Sequence, residues 1–383
     1  MQSPLVIVGM SGGVDSAVAA LLLRDAGHQV QGLFMANWDD EDGYCTTATD
    51  FQDARRSCAA LGIPLHRVSF AAEYREQVFS YFLRDYAAGR TPNPDVMCNR
   101  EIKFGVCLDY MNRLGAAWIA TGHYAQVQHA DSGARLLKAV DASKDQSYFL
   151  HSVSQAALDK TLFPIGHLRK SEVRKIAHAA GLAVYDKPDS TGICFIGERP
   201  FGEFLSRHLA MQPGPIETAE GRVIGEHRGL ALYTLGQRSG IGVGGRADAA
   251  SAPWYVADKD VARNTLVVVQ QQDHPLLLSD HCRIEAMHWI DASDAQAMRP
   301  IECAVKTRYR QRDLDCLLTR GADDFWQVEL RQPARAVTPG QYAVFYSGER
   351  CLGGGIIAQR WNSQSARSAP EITYNSHLSV EGT

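Results

Sequence analysis

The sequence predicts an α/β N-terminal domain built on a parallel sheet, then a small α+β or mostly β central domain, then a C-terminal β-barrel. Three observations predict it. Through residue 205, short apolar β-branched runs alternate with helical stretches, the pattern of a parallel sheet with helices on both faces. Pro213, Gly214 and Pro215 then break the helical signal, and glycines crowd the stretch from Thr218 to Ser251. From Pro275 onward, short alternating strands separated by turns read as a small barrel or sandwich. The expected units are 1–205, 206–274 and 275–361, with a polar, Ser-rich tail at 362–383 that is expected to be disordered.

In order, Leu5–Val8 reads as a first strand, and Ser16–Arg24 as the helix after it. Gln29–Met35 is the second strand. Phe51–Leu61 is a helix that Gly62 can cap. Leu65–Phe70 is a strand, and Glu73–Ala88 a helix closed by Gly89. Lys103–Leu114 is a helix closed by Gly115. Ala117–Thr121 is an apolar strand that runs into Gly122-His123. Ser171–Ala180 is a helix with Ser171 as its expected N-cap. Cys303–Arg308, Leu314–Thr319, Trp326–Arg331 and Tyr342–Tyr346 are the expected barrel strands.

Composition bounds the function. The 383 residues are 45% hydrophobic and 21% charged, which excludes a disordered chain, a collagen-like repeat and a coiled coil. The charge balance of 39 − 43 = −4 excludes a broadly basic nucleic-acid coat but leaves room for a local basic patch. No apolar run approaches the roughly 18–20 residues that span a membrane. The longest, Ala17–Leu23, ends at Arg24. Leu5–Val8 already reads as core, so no leader is expected and the chain is expected to be cytoplasmic, without a membrane partner. The 9 cysteines are odd in number and contain no CxxC pair, which suits a reducing cytosol and weakens zinc-ribbon and Fe–S readings.

The strongest local motif is Ser11-Gly12-Gly13-Val14-Asp15-Ser16, following a buried strand and opening a helix. Two glycines let the backbone approach an anion, and the helix start supplies free N–H groups and a positive dipole end. Ser11 and Ser16 add hydroxyls. Asp15 suits a bound Mg²⁺ or a helix cap. No Gly-Lys-Ser/Thr follows, so this is not a Walker A loop. An ordinary tight turn is the bland alternative.

Two cysteines stand apart. Cys98 lies in Arg90-Thr-Pro-Asn-Pro-Asp-Val-Met-Cys98-Asn-Arg-Glu-Ile-Lys-Phe104, where Pro92 and Pro94 predict a rigid extended loop just before a helix. A helix N-terminus, Arg100 and Lys103 should lower its pKa. Cys194 lies in a Gly-flanked loop, Ser190–Arg199, with Arg199 as a nearby cation. Cys58 and Cys107 share helical spacing with apolar neighbours and read as core. Cys282, Cys303, Cys316 and Cys351 look structural, and Cys45, after the acidic run Asp39–Asp42, is undecided. Lys306, Arg308, Arg310 and Arg312 alternate, so on a strand they would form one basic face for phosphates, or a solvated face beside Asp313 and Asp315.

The hexapeptide from Ser11 to Ser16 resembles the pyrophosphate loop of the ATP-pyrophosphatase family, which splits ATP between the α and β phosphates and adenylates a carbonyl oxygen. This implies an adenine nucleotide alpha hydrolase-like fold, with Gly9, Met10 and Ser11 to Ser16 on the triphosphate, Met35 by adenine and Gly122 across the crevice. The two cysteine segments, Thr121-Gly-His-Tyr124, Lys144-Asp-Gln-Ser-Tyr-Phe-Leu150, Gly236-Gln-Arg-Ser-Gly240, Val305-Lys-Thr-Arg-Tyr-Arg-Gln311, Pro339-Gly-Gln-Tyr-Ala-Val-Phe-Tyr346 and Cys351-Leu-Gly-Gly-Gly355 resemble the tRNA-specific 2-thiouridylase family (MnmA/TrmU) from about residue 5 to about residue 358. Ser239 departs from the pattern, where a Lys is more usual.

The resemblance implies a tRNA-uridine 2-sulfurtransferase that uses ATP and Mg²⁺ on the wobble uridine of tRNAs for Lys, Glu and Gln. It implies that Cys194 carries a persulfide from a sulfur-relay carrier protein or a cysteine desulfurase, that this sulfur or hydrosulfide released from it attacks C2, and that Cys98 is the nucleophile or resolving thiol. Asn93, Pro94 and Asp95 would meet the target base, with Asp95 a candidate acid or base. His123, Lys144, Asp145, Gln146, Arg308, Tyr309 and Gln341 would meet the tRNA. No protein-only metal site is implied. Three other readings stay open: an ATP-pyrophosphatase ligase or amidotransferase on a small substrate, a non-catalytic nucleotide sensor or RNA-binding protein, and an Fe–S tRNA thiolase, which would need a third clustered cysteine.

Overall fold

The computed structural model of the chain describes residues 3–38, 47–189, 200–243, 252–296, 299–321 and 324–363. Cys45, Asp39–Asp42, the Ser190–Arg199 segment with Cys194, and the tail from residue 364 lie outside them.

Five parallel strands form the N-terminal sheet, in the order Leu65–Ser69, Gln29–Ala36, Leu5–Gly9, Trp118–Thr121, Thr161–Leu162. The order reverses between Leu5–Gly9 and Trp118–Thr121, and a ligand crevice opens at such a reversal, beyond the carboxyl ends of the strands. Leu5–Gly9 is buried on both faces, as a central parallel strand must be. One face packs under Val14, Ala17, Val18 and Leu21 of the Val14–Asp25 helix. The other packs on Phe79, Phe82, Ile102 and Phe104.

The helix expected over Glu73–Ala88 is Ala71–Tyr74, a π-helical stretch Arg75–Phe79, then Ser80–Ala87. Two local expectations are corrected. The Cys98 segment is helix rather than extended loop: Pro94–Met97 is followed directly by a π-helix, Cys98–Val106, and by Cys107–Arg113, with non-helical backbone at Gly105. Pro94 sits at the first helical position, where its missing N–H costs nothing, and the Asn93 side chain caps the start by accepting from the Asp95 N–H at 3.2 Å. Ser171 is not an N-cap. The Lys170–Ala179 helix is capped at Arg169, whose backbone N–H donates to Glu172 at 2.7 Å.

The central sheet runs Tyr255–Asp260, Thr265–Val269, Gly214–Thr218, Val223–His227. Six strands then close a C-terminal barrel: Leu278–Trp289, Trp326–Arg335, Leu314–Arg320, Ile301–Lys306, Tyr342–Ser347 and Arg350–Trp361, with the last pairing back onto the first. The expected strand Cys303–Arg308 stops at Lys306, and Arg310 adopts φ 65°. The strand has already turned there, so Lys306, Arg308, Arg310 and Arg312 do not share one strand face. Tyr342–Ser347 is buried on both sides. Ala343 and Phe345 fill the barrel, while Tyr342, Val344 and Tyr346 pack on the N-terminal helices. Among the described residues, no helix is long and apolar enough to cross a membrane.

Candidate active site

The phosphate loop leaves Leu5–Gly9 and starts the Val14–Asp25 helix at the strand reversal. Gly12 has φ +78°, and a Cβ there would stand 2.3 Å from the Asp50 carbonyl oxygen, so only glycine fits. A Cβ on Gly122 would stand 2.6 Å from the Ser16 nitrogen, which lays the exit of the Trp118–Thr121 strand against the first helical turn. Ser16 Oγ accepts from the Ser11 N–H at 3.2 Å and donates to the Gly13 carbonyl at 3.1 Å. No side chain caps this helix at Gly13. Its first N–H groups and positive dipole end face the crevice as an anion site. Met35 is half-buried in the neighbouring strand, beside Gly9.

Asp15 is not the helix cap. Its carboxylate accepts from Tyr124 Oη at 2.8 Å and from Lys170 Nζ at 2.7 and 2.8 Å. Lys170 also reaches Asp189 at 2.7 Å. A second ammonium, Lys187 Nζ, donates to the Gly12 carbonyl at 3.0 Å and to Asp50 and Asp53 at 2.8 and 2.6 Å. Burial works against the charge on Lys187, but the bonds from Asp50 and Asp53 outweigh it and raise its pKa. Sequence reasoning missed both lysines. They lie 155 and 175 positions from the loop residues they touch, and no local pattern marks them.

Asp189 is the last described residue before the Cys194 segment. Burial alone would raise its carboxyl, but hydrogen bonds from Lys144 and Lys170 hold it down at about 2. Lys144, an expected tRNA contact, is thus paired to Asp189 at 2.6 Å. Asp145, another, is buried and accepts from the Ala139 and Ser147 N–H groups and from Ser147 Oγ, with Lys306 at 3.3 Å. Gln146 accepts from the Tyr124 N–H at 2.8 Å, which ties this segment to the residue that holds Asp15.

Across the crevice, Cys98 is 2% exposed in the second helical turn after Pro94. Burial raises the Asp95 carboxyl, with Lys103 opposing, as suits an acid or base. His123 sits 2.8 Å from Thr121 Oγ1 and between the Phe104 and Phe163 rings, at 6.0 and 6.1 Å. Burial, then Lys103, pushes it well below the usual range, so the imidazole is neutral at pH 7. Lys103 thus acts electrostatically on both Asp95 and His123, and Phe104 brings the Cys98 helix beside the residue after Gly122. The C-terminal end of the Cys98 π-helix therefore passes beside the strand exit that abuts the first turn of the Val14–Asp25 helix. Tyr309 packs on Phe149 at 4.3 Å. Arg308 and Gln341 turn inward: Arg308 donates to the Leu235 carbonyl and Thr338 Oγ1, and Gln341 to the Thr91 and Pro92 carbonyls. Among the described residues, no group of three His, Cys, Asp or Glu is arranged to hold a metal.

The chain matches three family descriptions in succession: the tRNA methyl transferase HUP domain over 4–198, the tRNA methyl transferase PRC-barrel domain over 202–270 and the aminomethyltransferase beta-barrel domain over 279–357. It is 54% identical over 370 residues to the tRNA-specific 2-thiouridylase MnmA of Methylococcus capsulatus, covering 96% of this chain and 100% of that protein. It is 56% identical over 360 residues to the MnmA of Tolumonas auensis, covering 93% and 97%. The domain descriptions mention methyl transfer, but full-length identity at this level is the stronger guide, and it points to thiolation. A solved U34-tRNA thiolase NcsA from Methanococcus maripaludis matches at 17% identity with a TM-score of 0.34, covering 50% of this chain and 61% of that one, too distant to bear on function.

Proposed function

This chain belongs to the tRNA-specific 2-thiouridylase family (MnmA/TrmU) and is a tRNA sulfurtransferase, and from that premise we propose the following division of labour for its residues. ATP is held at Gly9–Ser16, with Met35 beside adenine and Gly122 closing the crevice. The observation that carries this reading is the uncapped helix start at Gly13, flanked by Lys170 and Lys187. Backbone N–H groups and two ammonium groups suit pyrophosphate as leaving group. Mg²⁺ would arrive with the phosphates and neutralise their charge, with Asp15 a carboxylate that could hold it.

The uridine C2 oxygen attacks the α-phosphorus, and the bond to the β-phosphate oxygen breaks to release pyrophosphate. The terminal sulfur of a Cys194 persulfide then attacks C2, and AMP leaves with the former carbonyl oxygen. Cys98 thiolate attacks Cys194 Sγ, frees the thiocarbonyl and closes a Cys98–Cys194 disulfide, which an external thiol reductant reopens. Burial of Cys98 keeps that thiol from bulk oxidants until the base enters. Asn93, Pro94 and Asp95 meet the splayed base, with the raised Asp95 as acid or base at its edge, and His123 meets the tRNA. Lys144 meets tRNA phosphate by exchanging its Asp189 partner, and Tyr309 offers a ring for stacking. The substrates are the tRNAs for Lys, Glu and Gln, and sulfur comes from a relay carrier or a cysteine desulfurase. The units 1–205, 206–274 and 275–361 serve catalysis, linkage and tRNA binding, and the enzyme works in the cytoplasm.

The test is a single-turnover assay with ATP, Mg²⁺, a persulfide donor and unmodified tRNA-Glu, with 2-thiouridine read by mass. Thiolation is expected to need ATP, Cys98 and Cys194. Pyrophosphate without thiolated base in the presence of a competent donor would point to another acceptor.

A further inference from the structure

Two thiols of the barrel take no part in the chemistry assigned to Cys98 and Cys194. Cys303 on the Ile301–Lys306 strand and Cys316 on the Leu314–Arg320 strand are direct partners in the antiparallel register. Both are free, and their Sγ atoms stand 3.6 Å apart. Residues directly opposite on antiparallel strands keep their Cα atoms about 4.5 to 5.5 Å apart, inside the roughly 4.4–6.8 Å window of a disulfide. The pair is therefore in bonding register already. Closing it calls for side-chain rotation and leaves the strand pairing as it is.

The two sulfurs differ in access. Cys316 is 2% exposed and belongs to the apolar filling of the barrel, with Cys282, Leu318 and Val328. Cys303 packs at the edge of that cluster and is only half-buried, so a small molecule meets it first. The hydrogen bond with Cys303, and then burial, push the Cys316 thiol far above the usual range, so Cys316 keeps its proton while Cys303 attacks. Cys282 is not a second partner in register. It pairs with Val328 on the Trp326–Arg335 strand, which lies between it and the strand of Cys316.

We propose that Cys303 and Cys316 form a dithiol modification site, which a low-molecular-weight disulfide such as oxidised glutathione converts to a cross-strand disulfide. The Cys303 thiolate attacks one glutathione sulfur, and the other leaves as the first glutathione thiol, taking up the Cys303 proton. Cys316 Sγ then attacks Cys303 Sγ. The bond from Cys303 to glutathione breaks, and the second glutathione leaves with the Cys316 proton. The protein loses two hydrogens and two electrons, and one glutathione disulfide becomes two thiols. The site stands apart from the roles given to Cys98 and Cys194, and does not depend on them.

The test uses the reduced full-length protein in glutathione buffers stepped from fully reduced to fully oxidised. Samples are quenched by alkylation and digested with trypsin without reduction. Cleavage after Arg283, Lys306, Arg312 and Arg320 puts the two cysteines on separate peptides, 284–306 and 313–320. Mass spectrometry is expected to find these peptides joined, with both alkylation sites lost, and to find them separate again after a thiol reductant. A link between Cys98 and Cys194 falls on other peptides. Cys316→Ser is expected to stop at a glutathione adduct on Cys303, and Cys303→Ser to lose both adduct and link, with thermal melts to establish folding. Peptides of the native chain that stay separate at every ratio, with both thiols alkylated only after unfolding in urea, would overturn the proposal and leave the pair as barrel filling. A link from Cys316 to the peptide that carries Cys282 would overturn it too.

Discussion

The phosphate loop and the loop from Arg90 to Asn93, which enters the Pro94–Met97 helix, are built in opposite ways. The first is made by consecutive residues: a buried strand, two glycines and a helix start shape it before anything else packs. The second is short, and the contacts that shape it come from Gln341, Gly340 and Pro339 of a barrel turn and from Val261 of another sheet. A local motif keeps its meaning wherever it is read. A composite loop has its conformation only in the assembled molecule, because loop-closure entropy must be met by contacts made elsewhere. A binding function can be carried by the first kind, while the second ties one domain's loop to the packing of another.

Four changes break or sharpen that contrast. The largest effect is expected from Gly12→Ala, which needs φ +78° and drives a Cβ into the Asp50 backbone. Pyrophosphate release should fall by about a thousandfold, as when oriented donors are lost from a reacting group, while tRNA binding measured by filter retention is unaffected. A loss of tRNA affinity of the same size would mean that the loop is not a separate local unit.

The next is pH-dependent and lies where Arg90, Leu235 and Pro339 meet. Lys259 lines the small cavity between them and donates to the Tyr233 carbonyl at 2.9 Å, and burial lowers its pKa from 10.5 to about 8. The sign follows from the folded ammonium being disfavoured. The cost is full below pH 8 and vanishes as pH rises past 10.5. It amounts to at most about 3 kcal/mol, from 2.5 pKa units at 1.36 kcal/mol each. Chemical denaturation should therefore find Lys259→Met gaining on the native chain at pH 7 and losing that advantage between pH 8 and 10.5. A difference that is flat over this range would show that burial does not lower the pKa of Lys259 in the fold.

Lys170→Met tests whether the local loop is complete by itself. Loss of one charge-assisted phosphate contact should raise the ATP Kd by about 30-fold, with Lys170→Arg partly restoring it. Titration calorimetry with a non-hydrolysable ATP analogue reads this without turnover. An unchanged Kd would leave Lys170 only the task of holding Asp15 and Asp189.

The smallest effect is assigned to Arg310, exposed just beyond the end of the Ile301–Lys306 strand. Arg310→Ala should reduce the slope of log K against log salt for tRNA by about one and leave the saturated rate alone. The reverse pattern, rate without affinity, would show that Arg310 is not a phosphate contact.

Much of the N-terminal fold was legible because its causes are local. Leu5–Val8 and Ala117–Thr121 are apolar β-branched runs with no polar face, which only a doubly covered parallel strand accommodates. The Cys98 segment was legible too, in its capping signal, since Asn93-Pro94-Asp95 is an N-cap with proline at the first helical position. Reading the two prolines as loop markers hid it. The basic stripe failed for a different reason: alternation holds only while the strand lasts, and this one ends at Lys306.

By itself, the sequence determined the parallel sheet, the glycine-shaped turn from strand to helix, and the strands of a barrel. Each rests on periodicity, backbone freedom or residue chemistry within a few positions of itself. Only the tertiary structure decided that Lys170 and Lys187 stand at the phosphate loop, that Asp15 is held by Tyr124, that Asp145 is buried inside the fold, that Arg308 turns to Leu235, and that Gln341 faces the Thr91–Pro92 loop. Apart from the local bonds of Asp145, the bonds to Asp15, Gly12, Leu235 and Thr91 span 73 to 250 positions. A side chain's role at such range depends on which surface the folded chain turns it toward, and no local pattern records that direction.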